Sequence, residues 1–177
     1  MVKVDSGADT VRALAVNCSI LLNDRPVPER LRAVAAAGFR AVEFWWPFPT
    51  ATPSTAQVDA FAAEIRRSGL ALVGLNLFAG DMPAGDRGVL SWPGREDELL
   101  ASAEAAVRLG EALGTRRFNA LYGNRIDGLD GAEQDAVATA NLRRVAPLFD
   151  AIGGVVMIEP VSGAPRTRSR PRPTRWP

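Results

Sequence analysis

Histidine is missing from this 177-residue chain. That absence removes the commonest general base and the commonest metal-ligating side chain, so any chemistry must rest on carboxylates, amides, Lys, Arg or Tyr. Cysteine occurs once, as Cys18, which excludes an internal disulfide and fits a reducing compartment. No apolar run approaches the roughly 18 residues of a membrane span. The stretch from Met1 to Thr10 lacks the apolar centre of a signal peptide. The segment Asn17 to Asp24 holds no glycine, so the glycine-rich phosphate loop that follows the first strand of a dinucleotide-binding fold is absent too. Together these gaps predict a soluble, cytoplasmic protein that is neither membrane-bound nor built on a Rossmann unit.

A net charge is nearly absent as well. There are 21 basic and 20 acidic residues, a net charge of +1. The balance conceals an asymmetry: residues 166–177 contain five Arg and no acid, which leaves 16 basic against 20 acidic residues in the remainder. A mildly acidic body argues against a nucleic-acid partner.

What is present is an alternation of short apolar runs with longer amphipathic ones. The runs at 13–17, 40–45, 70–78, 117–122 and 154–159 read as strands. The segments 28–37, 54–69, 95–113 and 131–152 read as helices, marked by Pro28 near one start, by Ser54 and Thr55 as an N-cap, and by Gly38, Gly69 and Gly114 at the ends. Strand and helix in strict alternation mean parallel strands joined by right-handed crossovers. With no Rossmann fingerprint, the α/β architecture expected is the (β/α)8 TIM-barrel type. A full barrel takes about 250 residues and eight strands, so only about the first five strands fit here.

In a barrel the reactive groups gather at the C-terminal ends of the strands. The candidates are one from each predicted strand, inside or at the end of its apolar run: Asn17, Glu43, Asn76, Asn119 and Glu159. Such residues inside apolar runs cost free energy unless they are partnered. Any one of the asparagines can serve only to cap a loop, and Glu43 can serve only to pair with an arginine or lysine. Glu159 is followed by Pro160, which ends the strand and sets where the carboxylate points. Phe44, Trp45, Trp46, Phe48, Phe78 and Trp92 cluster near the same ends, either as the wall of a pocket or as packing at the rim or between subunits. The loop 79–96 is too long for a plain connection. Its Asp81, Arg87 and Arg95 can meet an anionic substrate or one another.

The strings Ala15-Val-Asn-Cys-Ser19, Gly38-Phe-Arg-Ala-Val-Glu-Phe44, Leu75-Asn-Leu-Phe-Ala-Gly-Asp81, Arg87-Gly88, Pro93-Gly-Arg-Glu96, Asn119-Ala-Leu-Tyr-Gly123 and Val156-Met-Ile-Glu-Pro160 together resemble the hydroxypyruvate isomerase family. That family belongs to the xylose isomerase-like TIM barrels. The resemblance runs from about residue 13 to Arg166. It implies interconversion of hydroxypyruvate and tartronate semialdehyde through an enediolate, with a divalent cation, Mg or Mn, holding the oxygens. It implies that Glu159 is a catalytic acid/base residue and a metal ligand. Asn17, Glu43, Asn76, Arg87, Arg95 and Asn119 become the expected substrate-binding residues for a small hydroxy-oxo acid. The family's second glutamate and its other ligands come from later strands that have no match here. A related 2-oxo-tetronate isomerase, a non-catalytic remnant and an abasic-site endonuclease are the rivals; the last relies on a histidine-rich zinc cluster.

The domain expectation is a flexible N-terminal segment over 1–12, a partial TIM barrel over 13–165 and a disordered basic tail over 166–177. The abrupt change at Arg166 reads as a reading-frame shift. A partial barrel leaves open sheet edges, which predicts homo-oligomers or aggregation through them.

Overall fold

The computed structural model describes residues 14–161. The expectations for residues 1–12 and 166–177 lie outside the described residues. Nine elements alternate in order: β1 (Ala15–Asn17), α1 (Val27–Ala36), β2 (Ala41–Phe44), α2 (Thr55–Ser68), β3 (Ala71–Asn76), α3 (Glu96–Leu113), β4 (Arg117–Leu121), α4 (Gly131–Asp150) and β5 (Val155–Glu159). The strands form one parallel sheet in the order β1-β2-β3-β4-β5, each neighbour reached by a helical crossover. This is the TIM-barrel progression, and every element falls within about two residues of its expected bounds.

Local chemistry explains the helix ends. Ser54 caps α2 through a capping box, its hydroxyl accepting from Gln57 N while Gln57 Oε1 accepts from Ser54 N. Asp130 caps α4 by accepting from Ala132 N at 2.7 Å. The first turn of α3 carries Glu96, Asp97 and Glu98, which favour the positive end of the helix dipole. Gly69 and Gly114 end α2 and α3 in the left-handed region, at φ of 69° and 76°.

The core lies between the sheet and its helices. Val42, Phe44, Leu72, Leu75, Phe118 and Ala120 face it from the strands, against Leu31, Val58, Phe61, Ile65, Leu99, Leu109 and Phe149. Burying one such side chain is worth about 1.5–3 kcal/mol. The pleat is interrupted once. Val42 pairs with Leu72 but Glu43 pairs with Gly74, so Val73 is an extra residue in β3. The bulge lets Leu72 and Leu75, three positions apart, both turn to the helices, and it sets the phase that brings Asn76 level with Asn119.

Among the described residues β1 and β5 have a strand neighbour on one side only. Leu14, Val155, Met157 and Ile158 stand exposed along these two strands. No described helix is long and apolar enough to cross a membrane.

Candidate active site at the strand ends

The sheet's ladder continues past the strands and holds the rim in register. Cys18 N donates to Glu43 O at 3.0 Å, Leu77 N to Asn119 O at 2.8 Å and Tyr122 N to Glu159 O at 2.9 Å. On this frame the five polar tips form two groups. Asn17 sits opposite Glu43, and its Nδ2 donates to Glu43 Oε1 at 2.9 Å while its Oδ1 accepts from Ser19 N at 3.0 Å. Both ends of the Asn17 amide are therefore fixed, and the partner of Glu43 is an amide rather than an arginine or lysine. Asn76 sits opposite Asn119, whose Nδ2 donates to Asn76 Oδ1 at 3.3 Å and also to Glu159 Oε2. One amide thus reaches across three strands and holds one oxygen of the Glu159 carboxylate.

Beside this row lies a cavity of about 470 Å³ whose wall includes Asn76, Trp45, Trp46, Phe48, Phe78 and Arg95. The aromatic wall expected from the sequence is therefore built by four of the six residues named. Phe44 is a correction: it is 2% exposed and meets Phe61 edge-on at 5.3 Å, on the helix side of the sheet. Strand alternation turns it away from its neighbours Glu43 and Trp45. Trp92 is the second correction. It lies over the end of β4, with Nε1 donating to Asn124 O at 3.1 Å.

The loop 79–95 is a built structure, not a slack connection. Asp86 is its hub, with Oδ2 accepting from Asp81 N at 2.8 Å and from Arg95 Nη1 at 2.7 Å. Gly80 makes room for that carboxylate: a Cβ there would stand 2.2 Å from Asp86 Oδ2. Arg95 Nε donates to Glu98 Oε2 at 2.5 Å. Partial burial pulls the Arg95 pKa down, but the bonds to Glu98 and Asp86 outweigh it and hold it above the usual arginine value. Arg87 behaves differently. Its Nη1 donates to two backbone carbonyls, Met82 O at 2.9 Å and Asp86 O at 2.6 Å.

Polar residues with no signal in the apolar pattern tie the loop to α4. Gln134, fully buried, donates through Nε2 to Ser91 Oγ at 2.9 Å and Asn124 O at 2.8 Å. Asn141 Nδ2 donates to Leu90 O at 2.9 Å. A second cluster stands at the end of β4, where Tyr122 Oη donates to Asp135 and Arg125 Nη1 reaches Asp135 Oδ1 at 3.1 Å. The Tyr122 hydroxyl chiefly holds the Asp135 carboxyl below the usual range, against the opposing effect of burial and with Arg125 assisting.

A divalent ion of the Mg or Mn kind asks for several oxygen ligands in near-octahedral array. Among the described residues no three Asp, Glu, Cys or His side chains converge. One Glu43 oxygen is engaged by Asn17, and Glu159 brings a single carboxylate. The described residues do not fit such an ion as a site of their own.

A parallel sheet of five strands joined by helical crossovers, with polar residues toward its C-terminal rim, is the arrangement of a TIM-barrel protein. The chain belongs to the xylose isomerase-like TIM barrel family, whose model matches residues 31–171. It is 47% identical over 146 residues to a Streptomyces coelicolor protein whose name assigns it provisionally to hydroxypyruvate isomerase, covering 81% of this chain and 52% of that one. Escherichia coli hydroxypyruvate isomerase is 30% identical over 148 residues, with 84% of this chain and 55% of that one covered. The 2-oxo-tetronate isomerase of Cupriavidus necator is 33% identical over 148 residues, at 84% and 55%. The chain spans about half the length of the curated relatives it matches. Among solved structures, the Brucella melitensis protein named AP endonuclease, family 2, superposes with a TM-score of 0.70 at 33% identity, covering 83% of this chain and 54% of that one. A Mycobacterium smegmatis xylose isomerase-like TIM barrel protein, solved in complex with magnesium, superposes with a TM-score of 0.60 at 17% identity over 87% of this chain and 56% of that one. At that identity the likeness is one of fold.

Proposed function

We propose that this chain forms the first four βα units and the fifth strand of an isomerase that interconverts hydroxypyruvate and tartronate semialdehyde. The observation that carries this reading is the Asn76–Asn119–Glu159 row beside an aromatic-walled cavity. Asn119 occupies Oε2 of Glu159 and leaves Oε1 to face a substrate. That oxygen takes a proton from the hydroxymethyl carbon of hydroxypyruvate. The C–H electron pair forms the new C=C bond and the carbonyl pair moves onto oxygen, giving the enediolate. The proton of the former hydroxymethyl oxygen passes to the enolate oxygen, the oxygen it leaves forms the aldehyde C=O, and the C=C pair takes up a proton at the former carbonyl carbon to give the product. The amides of Asn17, Asn76 and Asn119 and the carboxylate of Glu43 are the groups available to orient hydroxyl and carbonyl oxygens. Trp45, Trp46, Phe48 and Phe78 keep water from the intermediate.

The expected cation would stabilise the enediolate charge, but the described residues contribute at most Glu159 to it. By the resemblance, the proton shuttle also needs a second glutamate from a later strand. This chain alone is therefore expected to be inactive. The curated relatives named above carry isomerase names, and the chain's lack of histidine leaves the abasic-site endonuclease reading without its zinc ligands. The test is to continue the chain with the remaining C-terminal half of the Streptomyces relative and assay hydroxypyruvate turnover. Turnover should appear in the fused chain and fall by about 10²–10⁴ in Glu159→Gln. A fused, folded protein with no isomerase activity, or one indifferent to Glu159→Gln, contradicts the reading.

A further inference from the structure

A strand interior disfavours glycine, yet β3 carries Gly74 in the middle of its run. The φ of Gly74 lies outside the left-handed region, so its backbone conformation does not call for glycine. The bulge adds to the oddity. Val42 pairs with Leu72, so regular pairing would set Val73 opposite Glu43; the extra residue sets Gly74 there instead. Two features that each weaken a sheet thus coincide opposite one carboxylate. A glycine inside a strand marks a place that a ligand or another part of the chain approaches closely.

No other part of the described chain takes that place. Val42, Phe44, Leu72 and Leu75 are buried on the helix side, so strand alternation turns Glu43 and Gly74 to the opposite face. A Cβ on Gly74 would meet only Glu43, with its Cβ and its Oε2 both at 3.5 Å, and nothing else beyond the chain neighbours within 4 Å. The Glu43 carboxylate is half engaged. Asn17 Nδ2 donates to Oε1 at 2.9 Å, and among the described residues no donor reaches Oε2. The Asn17 amide is itself pinned by Ser19 N at 3.0 Å, so the carboxylate is held with Oε2 against the gap. Asn76, two residues further along β3, shares this face and lines the 470 Å³ cavity. An oriented, charged acceptor beside an open gap is a seat for a hydrogen-bond donor, and a bond to an ionised acceptor is the stronger kind.

We infer that Gly74 is a specificity-determining residue: the side chain it lacks leaves a seat in which Glu43 Oε2 accepts from the terminal hydroxyl of the substrate. The inference rests on the hydroxy-oxo acid reading above. It adds the group that tells a 3-hydroxy-2-oxo acid from the same 2-oxo acid without its hydroxyl. That hydroxyl sits on the carbon from which Glu159 takes a proton, so seating it also fixes the reacting carbon.

The experiment uses the full 177-residue chain and two probes, hydroxypyruvate and pyruvate, which differ only in that hydroxyl. Binding is followed by titration NMR, with the side-chain carboxyl carbon of Glu43 as the signature. The native chain should bind hydroxypyruvate about 10- to 100-fold more tightly than pyruvate, and only hydroxypyruvate should shift the Glu43 signal. Gly74→Ala places a methyl at ordinary contact distance from Glu43, so it should melt at the native temperature or above. It should nevertheless lose most of the preference, by weakening hydroxypyruvate and leaving pyruvate unchanged. Gly74→Val fills more of the gap with a side chain that suits a strand, and should abolish the preference. A glycine that serves only the fold predicts the reverse: lower stability in Gly74→Ala with the preference intact. If Gly74→Ala keeps the native preference, or loses its fold, the assignment of Gly74 is overturned while the isomerase reading stands. If the native chain binds the two probes alike, or binds neither, the seat on Glu43 is overturned; the isomerase reading is then decided separately, by turnover of the fused chain.

Discussion

Gly88 offers a stability test whose size can be worked from geometry. Its φ is 123°, outside the range that L-residues adopt, and an added Cβ would lie 2.1 Å from Leu121 O, 2.4 Å from Leu121 C and 2.7 Å from Gly123 N. All three are backbone atoms, so no rotamer change relieves the overlap. Gly85 is the control: its φ is 114°, but a Cβ there meets nothing within 4 Å. Both substitutions to alanine incur backbone strain of about 1–3 kcal/mol. Only Gly88→Ala must also push the loop off β4. That movement threatens Gly88 N to Ala79 O, Leu90 N to Leu121 O and Ser91 N to Tyr122 O, at 2.9, 3.4 and 2.9 Å. Two or three such bonds at about 1 kcal/mol each put Gly88→Ala about 2–3 kcal/mol below Gly85→Ala. That gap is a large fraction of an ordinary domain's stability. Urea unfolding followed by tryptophan fluorescence measures it, because Trp92 sits on this loop and reports its detachment. Equal destabilisation by the two substitutions refutes the argument that the loop is seated on the backbone of β4.

Cys18 is fully buried, and burial pushes its thiol up to about 11, with Arg30 opposing. The unfolded thiol ionises near 9.0, so the stability this gives is intact below pH 9 and is lost as pH rises toward 11, by about 3 kcal/mol in all; Cys18→Ala should remove that part of the alkaline decline in denaturant titrations. Asn141→Ala strips the donor from Leu90 O and should lower stability by about 1–3 kcal/mol in the same assay; a change under about 0.5 kcal/mol means the bond is not made. The exposed Val155, Met157 and Ile158 on a one-sided β5 predict concentration-dependent association in analytical ultracentrifugation; a sharp monomer boundary with a cooperative melt opposes that expectation.

The order and kind of the elements were legible along the chain because their signals are local. Helical spacing, the Ser54 cap and the glycines after α2 and α3 act within a few residues, and the structure has α2 ending at Ser68 before Gly69. The polar residues Asn17, Glu43, Asn76, Asn119 and Glu159 were legible too, since an amide or acid inside or at the end of an apolar run stands out wherever the run packs. Their pairing was not. That Asn17 meets Glu43, and that Asn119 reaches both Asn76 and Glu159, depends on inter-strand register. The bulge at Val73 shifts that register by one residue, and no short window records it.

The loop shows the same division. Composition alone marks Arg87 and Arg95 as equivalent cations near a rim, and marks Gln134 and Asn141 as ordinary polar positions of a helix. Only the fold gives Arg95 its carboxylates at Asp86 and Glu98, leaves Arg87 on carbonyls, and buries Gln134 and Asn141 against Ser91 and Leu90. By itself the amino-acid order determined a parallel α/β progression with one polar residue at each strand tip, since those properties follow from short-range periodicity. Which tips touch, which arginine keeps its charge and which aromatics reach the cavity were decided in three dimensions, because hydrogen bonds and ion pairs form between atoms brought within about 3 Å by residues far apart in the chain.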